Sequence, residues 1–465
     1  MIAELALLEA EAEAEGASPL AAIPSQAAIS RASTSLFVDH LRRGAKPQPQ
    51  WKCGLEFELF GYDVRSLERL DAAQVQQVLL GLSRASGQLS YESGILTETE
   101  GLSGERLTVE PGGQVEFSGV PHGSLAELER DMRAFLVQLK EVASARGLIF
   151  LAAGFDPLRT AAEQRWFPKP RYAVMRPYLG TRGARAWDMM CRTCAIQANL
   201  DYGSEEDLAK KFILGNHLAP VVTAIFANSP FEDGAPSGYK STRAAVWLET
   251  DTARAGCSPP SFDEGFSIQD FVAYTLSVPI IFTRRDKSYS SEASGLEFGA
   301  FLDGCTGGAR PVFQDWTDHL TTIFTEARLK QYIELRSADC GKPSMAMALQ
   351  ALWKGLMYDG ATLDEALRLA PKLDQVEMRT LQESVARHAL EARHAGVDVL
   401  GLARETISLA AEGLGRIAPA ELKYLDALRE LVFEDEACPA DILLRNWHGS
   451  WHGSVERLID YLRTA

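Results

Sequence analysis

LTVEPGGQVEFSG, residues Leu107 to Gly119, alternates in a way that decides how the chain is read. In an extended backbone Thr108, Glu110, Gln114, Glu116 and Ser118 point one way, while Leu107, Val109, Val115 and Phe117 point the other. The same alternation occurs upstream in CGLEFELFGY, where Glu56 and Glu58 oppose Leu55, Phe57 and Leu59. It recurs where Gln197, Asn199 and Asp201 oppose Ile196, Ala198 and Leu200, and where Glu334 and Arg336 oppose Ile333 and Leu335. A solvated outer face would explain any one of these strands. Together, the E-x-E, E-x(5)-E, Q-x-N and E-x-R patterns concentrate oxygen ligands where a solvated face would mix in Lys, Thr and Ser. Carboxylates gathered on one face repel each other unless a hard cation neutralises them. The polar face of a sheet built from these strands is therefore a candidate divalent-metal site.

The chain has 465 residues, 46% hydrophobic and 24% charged, which describes a globular protein with an extensive core. Length alone allows two or three domains, or one large one. A net charge of −16 argues against nonspecific binding to nucleic acid or anionic membranes. Locally the balance reverses: Arg159, Arg165, Lys169, Arg171, Arg176, Arg182, Arg185 and Arg192 are opposed within their own segment only by Glu163 and Asp188. This block fits either an anionic small molecule or a solvated loop with outward arginines. Seven cysteines, an odd number at low density, fit a reducing cytosol, so a cytoplasmic location is expected. Cys191 and Cys194 form a C-x-x-C without a second pair or a nearby His, and read as structural thiols, with a regulatory disulfide as the alternative. The opening MIAELALLEAEAEAEG fits an amphipathic helix or frayed tail, not an export signal, and no apolar stretch reaches membrane-spanning length.

In chain order, a helix is expected around Ser33 to Arg43, ended by breakers from Gly44 to Pro49, then a strand from Lys52 to Tyr62. Asp71 to Ser86 reads as a helix, Leu89 to Thr108 as short strands, and Ser124 to Gly147 as a helix with a stripe of Leu125, Leu128, Met132, Phe135, Leu136, Leu139 and Val142. LIFLAAGFDP is a buried strand. A strand from Gln197 to Asp201 precedes a helix from Ser204 to Ala227, and a last acidic strand covers Leu329 to Arg336. From Pro343 onward the pattern is almost continuously helical. His448 and His452 in WHGSWHGS stand four apart, but the intervening glycines disfavour the helix that a metal pair would need. There is no G-x-x-x-x-G-K-[ST] loop, no G-x-S-x-G elbow and no G-x-G-x-x-G after a strand, so a nucleotide would be held by metal and arginine.

KCGLEFELFG, LTVEPGGQVEFSG, PKPRYAVMRPYL, WDMMCRTCAIQANLDY, IFANSPF, STRAAVW, HLTTIF, EARLKQYIELRSAD and ALWKGLMYD occur in an order and spacing that resemble the plant and proteobacterial type of glutamate-cysteine ligase. The likeness runs from about Trp51 to the C-terminus. It implies an α+β, glutamine-synthetase-like fold in which a curved antiparallel sheet forms a funnel covered by helices. On that basis residues 1–50 are an N-terminal tail and helix, and 51–465 a single catalytic domain with 343–465 as its mainly helical layer. The resemblance implies ATP-dependent ligation of L-glutamate to L-cysteine through γ-glutamyl phosphate, the first step of glutathione biosynthesis. A ligase using another amine, or a noncatalytic metal-binding relative, are the alternatives.

The same resemblance implies Mg²⁺, with Mn²⁺ as an alternative, held by Glu56, Glu58, Glu110, Glu116 and Glu334 with Gln197 and Asn199 as neutral contributors. Arg336 would meet the transferred phosphoryl group, so Arg336, Glu56 and Glu116 are the expected catalytic residues. Arg243 and Trp247 would bind glutamate, a guanidinium clamping its α-carboxylate in two-pronged fashion, with Arg176 as a further candidate for that pocket. The implied partners are glutamate, cysteine and ATP, in a monomer or homodimer without nucleic acid or membrane. One departure stands out: after Ala338-Asp339, where plant members carry a Gly-Gly-Pro-Trp-Arg-like run, this chain reads CGKPSM, so a basic contact there is absent or supplied from elsewhere.

Overall fold

A computed structural model describes residues 23–83, 87–263, 265–304 and 310–465. Its centre is an antiparallel sheet of β1 (Cys53–Asp63), β2 (Gln88–Glu92), β3 (Ile95–Glu100), β4 (Arg106–Val109), β5 (Val115–Ser118), β6 (Leu148–Leu151), β7 (Ala195–Leu200), β8 (Ala327–Leu329) and β9 (Ile333–Asp339). The order across the sheet is β8-β9-β7-β1-β5-β4-β3-β2, and β6 pairs with the far end of β1.

The Leu107–Gly119 stretch, read as one extended segment, is a hairpin. Pro111-Gly112-Gly113 cannot continue a strand, since Pro lacks an amide donor and Gly113 sits at φ +78°. The Gly113 amide donates to the Glu110 carbonyl at 2.9 Å and closes the turn. A Cβ on Gly112 would lie 2.3 Å from the Cys191 carbonyl oxygen, so the turn packs where only glycine fits. The alternation survives the turn because the arms pair in register, Thr108 opposite Glu116, Val109 opposite Val115 and Leu107 opposite Phe117.

Helices cover the apolar face. In Leu125–Ser144, Phe135 stacks on Phe117 with ring centroids 4.6 Å apart. Pro343–Met357 is buried at every position from Met345 to Met357, as a helix enclosed between the sheet and other helices must be. One connected core of buried apolar side chains runs from Ile29 to Ala465. The segment expected as one helix from Ser204 to Ala227 is two, Glu205–His217 and Ala219–Phe226, because Pro220 cannot sit inside a continuous helix. The last acidic strand is likewise divided into β8 and β9 by a turn in which the Lys330 amide donates to the Tyr332 carbonyl at 2.8 Å.

Other elements fall close to expectation: Thr34–Arg42, Ala72–Leu82 with Asp71 as its cap, and Leu125–Ser144 with Gly147 beyond it at φ +66°. Helices dominate after Pro343, interrupted by the small ladder Arg393–His394 with Val397–Asp398. His448 ends the helix Pro439–His448, and His452 follows in a turn at φ +50°, so the two share no helical face. Cys53, Cys191, Cys194, Cys257, Cys340 and Cys438 are buried free thiols. The N-terminal MIAELALLEAEAEAEG and Cys305 lie outside the described residues. Among the described residues no helix is long and apolar enough to cross a membrane.

Candidate active site

Strand register assembles the polar face. Glu58 stands directly opposite Glu116 across β1 and β5, and Glu116 is opposite Thr108 on β4. Glu56 lies between Gln197 on β7 and Ser118 on β5, and Glu334 lies between Asn199 and Arg328. Like charges directly across an antiparallel pair are destabilising, so the Glu58–Glu116 pair works against the sheet that carries it. Each acid is oriented by a neighbour. Asn199 Nδ2 donates to Glu56 at 2.9 Å, Gln197 Nε2 and the Ala195 amide donate to Glu58 at 3.0 and 2.7 Å, and Thr108 Oγ1 donates to Glu116 at 2.5 Å.

These residues wall a cavity of about 430 Å³. Its lining carries the acids Glu56, Glu58, Glu98, Glu110 and Glu116 and the cations Arg106, Lys169, Arg171, Arg243, Arg328, Lys330 and Arg336, and the clustered Met175, Leu179, Met189 and Met190 form an apolar corner. Arg336 stands at a β-bulge. The register of β9 on β7 shifts by one between Leu335 and Ala338, so that Arg336 and Ser337 together face Gln197. From there Arg336 Nη1 donates to Gln197 Oε1 at 2.6 Å and pairs with Glu334. Arg243 and Trp247 come from the helix Thr242–Leu248, whose N-cap Ser241 accepts from the Ala244 amide at 3.0 Å. Arg243 Nη2 donates to the Arg336 carbonyl at 2.7 Å. The indole N–H of Trp247 is buried and has no hydrogen-bond partner, which leaves a donor for a ligand.

Residues 52–461 match the family described as glutamate-cysteine ligase family 2, GCS2. This chain belongs to that family. The chloroplastic glutamate-cysteine ligase of Medicago truncatula is 36% identical over 433 residues, covering 91% of this chain and 84% of that protein. Glutamate-cysteine ligase A of Oryza sativa subsp. indica, also chloroplastic, is 36% identical over 430 residues, covering 91% of this chain and 87% of its own. The crystal structure of the Francisella tularensis glutamate-cysteine ligase in complex with AMP superposes with a TM-score of 0.53 at 13% identity, covering 89% and 87% of the two chains, a likeness of fold.

Charge is divided within the cavity of this glutamate-cysteine ligase family member. Burial, then repulsion from Glu334 and Glu116, pushes the Glu56 carboxyl up to about 7. Burial with Glu116 and Glu110 raises Glu58 well above the carboxylate range, and burial with Glu110 raises Glu116. Glu334 goes the other way: burial opposes its ionisation, but Arg328, Lys330 and Arg336 overcome that and hold it well below the usual range. Its contacts include Arg328 at 2.5 Å and Lys330 at 2.7 Å. Glu56, Glu58 and Glu116 are thus short of positive charge and, with Glu110 on the same cavity wall, fit a hard divalent cation. Among the described residues no three acidic, His or Cys side chains are drawn together into a closed metal cage; the acids stand around the cavity.

The sequence-derived candidates sort accordingly. Glu56, Glu58, Glu110, Glu116, Gln197, Arg243, Trp247 and Arg336 share the cavity. Glu334 is fully buried among three cations, and the Gln197 oxygen is engaged by Arg336, so neither stands free for a metal. Asn199 lies off the wall and acts on Glu56. Arg176 is not in the cavity: its guanidinium lies between Trp166 at 4.3 Å and Trp187 at 5.1 Å, neither of which lines it. Of the basic block only Lys169 and Arg171 reach the cavity; Arg165 pairs with Glu68, and Arg185 and Arg192 pair with Asp188 and Glu232. Arg328 and Lys330 were missed. With the turn before β9 recognised, Arg328 falls opposite Glu334.

Proposed function

We propose that the protein joins the γ-carboxylate of L-glutamate to the amino group of L-cysteine, using ATP and releasing ADP and phosphate. The product is γ-glutamylcysteine, the first intermediate of glutathione biosynthesis. A single juxtaposition carries this: carboxylates that repel each other, Glu56, Glu58 and Glu116, share one cavity with seven cationic side chains in a member of the glutamate-cysteine ligase family. Phosphorylating a carboxylate brings two anions together, which demands both a place for a metal and fixed positive charge.

Arg243 and the free Trp247 indole N–H supply a two-pronged cation and a donor for the α-carboxylate of glutamate. Arg336, fixed on its bulge by Gln197 and Glu334, is set to stabilise charge on the transferring phosphoryl group, with Lys330, Lys169 and Arg171 around the phosphates. Glu56, Glu58, Glu110 and Glu116 would hold Mg²⁺, which when bound supplies charge neutralisation at the phosphate oxygens. The corner of Met175, Leu179, Met189 and Met190 suits the small, weakly polar side chain of cysteine. It would also accept an alkyl side chain of similar size, so 2-aminobutyrate is the informative competitor.

The test is phosphate release with ATP, Mg²⁺ and glutamate against a panel of amines, with mass analysis of the products. Ligation of cysteine and 2-aminobutyrate, with little turnover of glycine or lysine, is expected. Absence of phosphate release with every amine would refute the proposal.

A further inference from the structure

The polar face contains one carboxylate that neither touches the cavity nor answers to the strand alternation. By simple parity Asp339 belongs with Ile333 and Leu335 on the apolar face. The bulge at Arg336 and Ser337 resets that parity, so Asp339 pairs with Ala195 and turns to the side of Gln197 and Asn199. Its side chain is fully buried. A buried carboxylate is costly unless its oxygens are satisfied, and here they are. Asp339 Oδ2 accepts from the Asn228 amide at 2.9 Å and from Ser229 Oγ at 2.6 Å, and Oδ1 accepts from Ser241 Oγ at 2.9 Å.

Both serines pass the contact on to the backbone that carries Arg243. Ser229 Oγ accepts from the Arg243 amide at 3.2 Å, and Ser241 Oγ accepts from the Ala244 amide at 3.0 Å. By donating their protons to Asp339, the two hydroxyls keep their lone pairs aimed at the first amides of the Thr242–Leu248 helix. The Arg243 guanidinium itself stands 3.8 Å from Asp339 Oδ1 and donates to the Arg336 carbonyl, three residues earlier on the same strand. Gly154 packs against this carboxylate so closely that a Cβ there would lie 2.3 Å from Asp339 Cγ.

We propose that Asp339 is a positioning residue: through Ser229 and Ser241 it fixes the helix bearing Arg243 and Trp247 relative to the strand bearing Arg336. It thereby sets the distance between the glutamate clamp and the phosphoryl site. The proposal rests on Arg243 as that clamp. The bulge links the two roles, since Arg336 stands at it on the face set by Glu334 and the register shift beyond it turns Asp339 toward the helix.

The experiment compares the wild type with Asp339→Asn, Arg243→Lys and the double variant. Wild-type ligation tests the parent proposal by itself. Positioning is read from ratios between variants and from hydrogen exchange at the Arg243 and Ala244 amides, which requires no turnover. Asp339→Asn is expected to raise the KM for glutamate up to about 100-fold, the scale of a small misplacement of a binding group, with the KM for ATP within about threefold of wild type. Exchange at the two amides should accelerate. The double variant should bind glutamate no worse than Arg243→Lys alone, because the single change already forfeits what Asp339 arranges. Equal rises in both KM values, additive losses in the double variant, or unchanged exchange would overturn the proposal. Should Asp339→Asn not fold, Ser229→Ala and Ser241→Ala remove one relay each with the carboxylate in place, and the same selective rise for glutamate is expected from both.

Discussion

Glu56→Gln should make the metal-free protein more stable while abolishing its turnover. In the folded chain the Glu56 carboxyl titrates near 7 against an ordinary value of 4.5, because burial and the neighbouring Glu334 and Glu116 disfavour its charge. Between those two pH values the folded state holds a proton that the unfolded state has released, so raising the pH through this window removes stability. A shift of that size corresponds to about 3 kcal/mol at 1.36 kcal/mol per pKa unit, and water entering the open cavity reduces it to roughly 1–2 kcal/mol. Glutamine keeps the acceptor for Asn199 and loses the charge. With an unfolding entropy of about 2 cal/mol/K per residue over 465 residues, Tm should rise by about 1–2 °C at pH 8. Scanning calorimetry in EDTA from pH 4.5 to 8.5 measures this: the wild-type and variant curves should lie together near pH 4.5, draw apart between there and pH 7, and keep a constant gap above it. Saturating Mg²⁺ should close the gap by stabilising the wild type alone. A Glu56→Gln protein less stable than wild type at pH 8, or curves that stay parallel, would refute the reasoning.

Arg243→Lys keeps the charge but not the planar fork, and steady-state kinetics should give a KM for glutamate raised by about tenfold or more with that for ATP nearly unchanged. Arg336→Lys should instead lower kcat by roughly 100-fold with small changes in either KM, as expected for a group that acts on charge developing in the transition state. Burial pushes the Cys191 thiol up to about 12, and Cys194 is buried beside it in the sequence, so neither should be alkylated by iodoacetamide at pH 8 until denaturant is added. Peptide mapping that finds rapid native labelling, or a Cys191–Cys194 disulfide, would count against their structural role.

Much of the site was legible because a strand repeats every two residues. Glu56 with Glu58, and Glu334 with Arg336, could be placed on one face from spacing alone, and the observed register puts them there. Reading failed where the backbone leaves that period. Pro111 to Gly113 turn a supposed single strand into a hairpin, and the turn at Lys330 hid Arg328, whose place opposite Glu334 depends on chain reversal. Asp339 was concealed by the bulge, because one inserted residue moves everything beyond it to the other face. Arg176 shows the converse problem. Charge density singled out a block, but only helical phase separates Arg171, which reaches the cavity, from Arg176, which stacks between two tryptophans outside it. Likewise Glu68, which pairs with Arg165, and Glu232, which joins Asp188 beside Arg192, are distant in sequence from the block.

On the proposed reaction, ATP activates the glutamate side chain as an acyl phosphate within this cavity. Among the described residues its wall offers no cysteine or histidine to form a covalent intermediate. Glutamate labelled with ¹⁸O in its side-chain carboxylate, incubated with ATP, Mg²⁺ and cysteine, tests this most directly. The account predicts ADP and one ¹⁸O atom in the released phosphate for each γ-glutamylcysteine formed; AMP with pyrophosphate, or phosphate free of label, would contradict it.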